Sequence, residues 1–157
     1  MNILFILLLS WLQAEQKGTL TVKVKGVLQT QGSIRMAVYN NEKSFPSESQ
    51  SFRGAALSLK PGINTQLSCD QLSFGTYAVA VYHDVNNNGK MDKNALGIPT
   101  EPYAFSNNVK VKWREPKFRE AAFNFAAQQQ EIVVVLKRWS AQDWCTDFNI
   151  KAKARLK

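Results

Sequence analysis

From residue 19 onward the side chains alternate. Thr19-Leu20-Thr21-Val22-Lys23-Val24-Lys25 puts Leu20, Val22 and Val24 on one side of an extended chain and the Thr and Lys residues on the other. That period of two predicts a half-buried strand. Ile34–Tyr39 repeats the pattern after a turn at Gly32. Ala56–Leu59 is a third strand, and Pro61-Gly62 turns the chain into a fourth, Thr65–Cys69. Gly75 introduces a fifth, Thr76–Tyr82, in which Tyr77, Val79 and Val81 share one face and the small Ala78 and Ala80 the other. Val109–Trp113 reads as a sixth and Glu131–Leu136 as the seventh and most apolar. About seven short strands with turn signals and no long helical period predict an all-β fold, an antiparallel β-sandwich of immunoglobulin-like type.

The remaining segments fit around those strands. Phe45–Phe52 is polar and holds Pro46, so it reads as a loop, and Lys117–Ala122 suits one helical turn. Leu96–Asn108 is a long turn-rich connection in which Tyr103 and Phe105 are expected to cap one end of the core. Long connections of this kind in small domains are often functional or carry their own stabilisation. The strand pattern stops after Trp139, so the domain is placed at 18–138 and a tail at 139–157, as a short helix or loose segment.

Composition adds an address. Apolar residues make up 45% of the 157 and charged residues 20%, which is ordinary for a globular chain and excludes a disordered one. Ile3–Leu12 is apolar except for Ser10. A membrane-spanning helix needs about 20 such residues, so the run fits the apolar part of a secretory signal. Residues 1–14 are therefore read as a signal peptide ending at Ala14, with a buried N-terminal strand or helix as the alternative. The expected destination is the periplasm, the cell surface or the medium. Cys69 and Cys145 are the only cysteines, and an exported chain permits either one disulfide or two unpaired thiols.

Candidate chemistry concentrates after the fifth strand. In Asp84-Val85-Asn86-Asn87-Asn88-Gly89-Lys90-Met91-Asp92 oxygen-bearing side chains fall at positions 1, 3, 5 and 9, with Gly at 6. Calcium is a hard cation that takes six to eight oxygen ligands, and alternate positions of a tight loop can face one ion. The expected metal ligands are Asp84, Asn86, Asn88 and Asp92 through side chains and Lys90 through its backbone carbonyl. Position 12 is Ala95 where a bidentate Glu is usual; Glu101 and Asn94 are the possible substitutes. The competing reading is a hairpin turn, since Asn88-Gly89 is a strong type I′ signal without any metal.

Charge suggests a second reading. The excess of 20 basic over 12 acidic residues gives +8, concentrated after Lys110. Lys110, Lys112, Arg114, Lys117 and Arg119 alternate with Trp113 and Phe118, and such a surface attracts polyanions such as envelope glycan. Export removes nucleic acid from the candidate partners, and no second apolar run would span a membrane. An enzyme is not expected. His83 is the only histidine, and no GxSxG, HExxH or Gly-rich phosphate loop is present.

The run GTYAVAVYHDVNNNGKMDKNALGIPTEPYAFSNN, with the later PKFREAAF, resembles the bacterial domain-of-unknown-function family 2141 over about Gly18–Arg138. Ala104 departs from it, standing where that family usually has Gly. The resemblance implies an exported single-domain β protein and assigns it no activity. Val81–Asp92, followed by Gly97-Ile98-Pro99, is also similar to the calcium-binding B repeats of serine-aspartate-repeat surface adhesins. Those repeats are prealbumin-like sandwiches, and the likeness implies calcium ligands at Asp84, Asn86, Asn88 and Asp92.

Overall fold

The alternating segments become strands in the computed structural model, which describes residues 15–110 and 114–140. Among the described residues there are eight: β1 Lys17–Lys25, β2 Ser33–Tyr39, β3 Arg53–Ser58, β4 Gln66–Ser73, β5 Gly75–Asp84, β6 Tyr103–Phe105, β7 Phe123–Phe125 and β8 Gln129–Val135. One helical turn, α1, covers Phe118–Ala121. The strands make two sheets. One is ordered β4-β1-β8; the other is β3-β2-β5-β6, with β7 pairing onto the first residues of β5. This is the all-β sandwich that the pattern predicts.

The interior follows from the period of two. Leu20, Val22 and Val24 from β1 meet Ile34, Met36 and Val38 from β2, and Tyr77, Val79 and Val81 from β5. β4 contributes Leu67, Cys69 and Leu72, which strict alternation would not place on one side. A register shift between Gly18 and Leu20 lets Leu72 sit opposite Gly18 while Cys69 sits opposite Leu20. Such a bulge admits an extra residue and turns the later side chains inward again. Cys145 lies outside the described residues, as do residues 1–14, read above as a signal, and those from 141 onward.

The β2–β5 pair is covered on its second face too. Ala37, Tyr39 and Ala78 pack there against Phe45, Phe105 and Ala121. The Phe45 ring meets Tyr39, Phe105 and Phe118 edge-on at centroid distances of 5.1, 5.7 and 6.0 Å. The small Ala positions leave room for these rings. Phe105 therefore helps cover the outer face of the sheet and does not cap an end of the core, because β6 extends the sheet beside β5.

Two other expectations change. The sandwich is not wholly antiparallel: β1 and β8 run parallel, from Thr19 opposite Gln129 to Lys25 opposite Val135. The proposed sixth strand is not formed where it is described, since Val109 and Lys110 lie outside any strand and 111–113 are outside the described residues. Among the described residues no helix is long and apolar enough to cross a membrane.

Asn108 closes the outer edge of β8. Its Nδ2 donates to the Val133 carbonyl at 3.0 Å, and the Val135 amide donates to its Oδ1 at 2.8 Å. One carboxamide thus stands in for a neighbouring strand at an edge that would otherwise offer free backbone groups. Val133 and Val135 are both exposed beside it. Replacing Asn108 by Ala is expected to lower stability by about 1–2 kcal/mol in urea denaturation. Sedimentation velocity should then show self-association through the opened edge at high protein concentration.

Candidate functional site

β5 ends at Asp84, and the candidate loop begins on that residue. Register puts Asp84 opposite Ser33 and Tyr82 opposite Arg35. Cross-strand partners share a face, so Ser33, Arg35, Tyr82 and Asp84 all lie on the outer face of the sheet. His83 faces the opposite side. It is buried, and its Nε2 lies 2.7 Å from the Gln31 carbonyl.

Asp84 is 0% exposed. Its Oδ2 accepts hydrogen bonds from Arg35 Nε at 2.7 Å and from the Gly89 amide at 2.9 Å, and its Oδ1 accepts from the Asn88 amide at 3.0 Å. The loop therefore curls around the carboxylate and presents its own backbone donors to it. Gly89 is at φ 79°, a left-handed conformation, and the Arg35 guanidinium lies over the position a Cβ would take. Burial alone pushes the Asp84 carboxyl up, but the Arg35 hydrogen bond and those from Gly89 and Asn88 outweigh it. The net shift is to below the ordinary carboxylate value.

The other three acidic or amide side chains converge beside it. Asn86 Nδ2 donates to Asp92 Oδ2 at 2.7 Å, and Asn88 Nδ2 donates to Asp92 Oδ1 at 2.8 Å. The two carboxamide oxygens turn back onto the chain, where Asn86 Oδ1 accepts from the Asn88 amide at 3.1 Å and Asn88 Oδ1 from the Lys90 amide at 2.8 Å. Lys90 itself is exposed. The five residues singled out from the spacing thus occupy one small loop, bonded internally.

Glu101 has a clasping role that the spacing only hinted at. It is buried, and its two oxygens accept from the Val85 amide at 2.9 Å and the Asp92 amide at 3.1 Å. It ties the two ends of the loop together. Asn94 instead organises the following turn, with Oδ1 accepting from the Leu96 and Ile98 amides, each at 3.0 Å.

Does this donor set suit a metal? Among the described residues no three His, Cys, Asp or Glu side chains are grouped to hold one. Any ion here depends on amide and carbonyl oxygens as well as carboxylates, which is the chemistry of a hard cation and not of zinc. Asn86 and Asn88 would have to offer Oδ1 where they now offer Nδ2, a half-turn about the terminal torsion. The Asn88 amide would keep its bond to Asp84 through such a turn. The same turn would give up the bonds that Asn86 Oδ1 and Asn88 Oδ1 accept from the Asn88 and Lys90 amides; the oxygens then facing inward are of the type a hard cation takes.

Two further features border the loop. A groove of about 760 Å³ lies on the outer sheet face, floored by Ala37 and Ala80 and walled in part by Met91, Ile98 and Pro99 from the arm after the loop. Tyr82 lines it, and its hydroxyl donates to Glu48 at 2.8 Å. Burial and the Glu48 carboxylate push the Tyr82 phenol up, which keeps that donor protonated. The basic segment is less uniform than its sequence. Arg114 makes two bonds to the Glu120 carboxylate at 2.8 and 2.9 Å, while Lys110, Lys117 and Arg119 are exposed and Lys112 is outside the described residues. Of the described ones, none lies in a strand.

A two-sheet β-sandwich with an Asx-rich loop closing one end of its central strand defines the class. Within it, the chain belongs to the family described as an uncharacterized protein conserved in bacteria (DUF2141), whose model matches residues 22–133. No curated protein and no solved structure matches the chain.

The Arg35–Asp84 pair sets two expectations. Asp84→Ala is expected to cost about 2–3 kcal/mol, less than for a wholly buried pair because Arg35 is 32% exposed. The carboxyl is depressed in the folded state, so its contribution is complete above its unfolded value of 3.8 and is lost as pH falls through the lower folded value. Urea midpoints measured from pH 6 down to pH 2 should show this acid-side loss in the wild type and a smaller one in Asp84→Ala.

Proposed function

We propose that this chain is an exported, non-catalytic β-sandwich module whose Asp84–Asp92 loop takes up calcium, and that it serves as a binding or structural unit. One observation carries the reading: Asn86 and Asn88, two residues apart, bring their polar ends to 2.7 and 2.8 Å from the two oxygens of Asp92. A hairpin turn alone requires only Asn88 and Gly89. It gives no reason for Asp92 and Asn86 to meet. Export rests on the apolar run Ile3–Leu12, which lies outside the described residues.

Calcium would neutralise the Asp92 charge and bridge the two arms of the loop. The side-chain oxygens of Asp84, Asn86, Asn88 and Asp92 and the Lys90 carbonyl are the residues that would hold it. Two carboxylates make a low ligand charge, which suits the weak end of such loops, about 0.1–1 mM.

At 5 mM calcium that affinity adds about 1–2 kcal/mol of stability. A domain of this size should then melt about 3–10 °C higher than in chelator. Asp92→Ala should remove the shift while leaving the Arg35–Asp84 pair in place. An unchanged melting temperature in the wild type at 5 mM calcium defeats the calcium reading. Export has a separate check: the mature protein from bacterial culture should begin at Glu15 by intact mass, and a full-length mass rules cleavage out.

A further inference from the structure

Resting on the calcium reading of this loop, we infer that Arg35 is a tethered competitor for the loop's cation. The Asp84 carboxylate at the first ligand position already has a positive partner, supplied from β2, 49 residues earlier in the chain. Three of the roughly four lone-pair sites on a carboxylate are occupied, two on Oδ2 and one on Oδ1. What remains for an ion is one lone pair on Oδ1, beside a permanent guanidinium charge.

The placement of Arg35 is a consequence of the fold. Arg35 and Asp84 belong to neighbouring strands, on the same face, one alternate position apart in the ladder. The Arg35 guanidinium lies over Gly89, with Nη2 3.4 Å from the position a Cβ would take. The loop thus folds around a cation the chain itself provides. A guanidinium is always charged and forms directed bonds to carboxylate, so it cannot be switched off by pH in the ordinary range.

Competition has two consequences. Without calcium, Arg35 keeps Asp84 neutralised and the loop formed, so the module stands without the ion. With calcium, the ion must overcome the repulsion of Arg35 and loosen its bond to Asp84. Arg35 therefore sets the calcium affinity from outside the loop and confines the response to high calcium concentrations.

Calorimetric calcium titration and thermal melting of the wild type, Arg35→Gln and Arg35→Lys test this. Arg35→Gln removes the charge and is expected to bind calcium about tenfold more tightly. It should also melt below the wild type in chelator and recover most of that loss in calcium. Arg35→Lys keeps the charge and should stay within about threefold of wild-type affinity. Equal or weaker calcium binding by Arg35→Gln, with wild-type binding intact, overturns the competitor role and leaves the calcium reading standing. Absence of calcium binding in all three proteins overturns both. A readout on the unaltered protein covers the case in which Arg35→Gln does not fold. At saturating calcium, the Arg35 Nε–H followed by NMR should lose protection from solvent exchange. An unchanged Nε–H signal there overturns the inference.

Discussion

The β2–β5 pair is buried on both faces, and that constraint shapes the rest of the molecule. A strand covered on one side can place any polar residue on the other. Here each outer position must be small, or carry a polar group that finds a partner. Ala37, Ala78 and Ala80 are small, and the aromatic cluster around Phe45 packs over this face. Tyr39 is large, and its hydroxyl donates to the Pro46 carbonyl at 3.1 Å. Tyr82 donates to Glu48, and Asp84, the last outer residue of β5, is met by Arg35. The same rule runs from the packed middle of the sheet to the charged loop at its end, with one exception: the buried Ser33 Oγ has no hydrogen-bond partner among the described residues.

Strands long enough to show two or more alternations are legible from sequence alone, and β1, β2 and β5 are the clear cases. The division of β5 into a large inner face and a small outer face is legible as well. Strands β6 and β7 have three residues each, too few for a period to be visible. They exist because β5 offers an edge, a tertiary fact. Pairing direction is equally hidden: side chains of β8 alternate in the same way whether it runs parallel or antiparallel to β1. The reverse case occurs at Val109 and Lys110, where alternation suggests a strand and none forms. Alternation shows that a segment has two faces and says nothing of whether a neighbour is there to pair.

The loop divides in the same way. Its Asx spacing is local, so Asp84, Asn86, Asn88 and Asp92 are all found by reading along the chain. Gly89 is found too, since position 6 demands a left-handed turn. Arg35 is invisible to that reading, because in sequence it is only one polar residue on an alternating strand. Glu101 could be named as a substitute for the missing twelfth ligand. That its carboxylate holds the Val85 and Asp92 amides depends on the whole 92–101 arm folding back, which Asp92 and Thr100 achieve through a backbone bond of 2.9 Å.

These two kinds of information bear on what the loop is for. A free ion stabilises a fold by an amount that rises with the logarithm of its concentration above Kd, because binding must offset the entropy of capturing it from solution. A side chain anchored on a neighbouring strand is present at fixed effective concentration whatever the medium holds. The Asp84 carboxylate is served by the second kind of cation, and the Asn86–Asn88–Asp92 group by amide donors that a rotation can exchange for oxygens. The loop is thus divided between a half bonded to Arg35 of β2 and a half facing out. An ion meets the outer half first and engages Asp84 only against Arg35. Met91, Ile98 and Pro99, which wall the groove, follow directly from that half in the chain. The Asp92–Thr100 backbone bond of 2.9 Å ties Asp92 to the returning arm that carries Ile98 and Pro99.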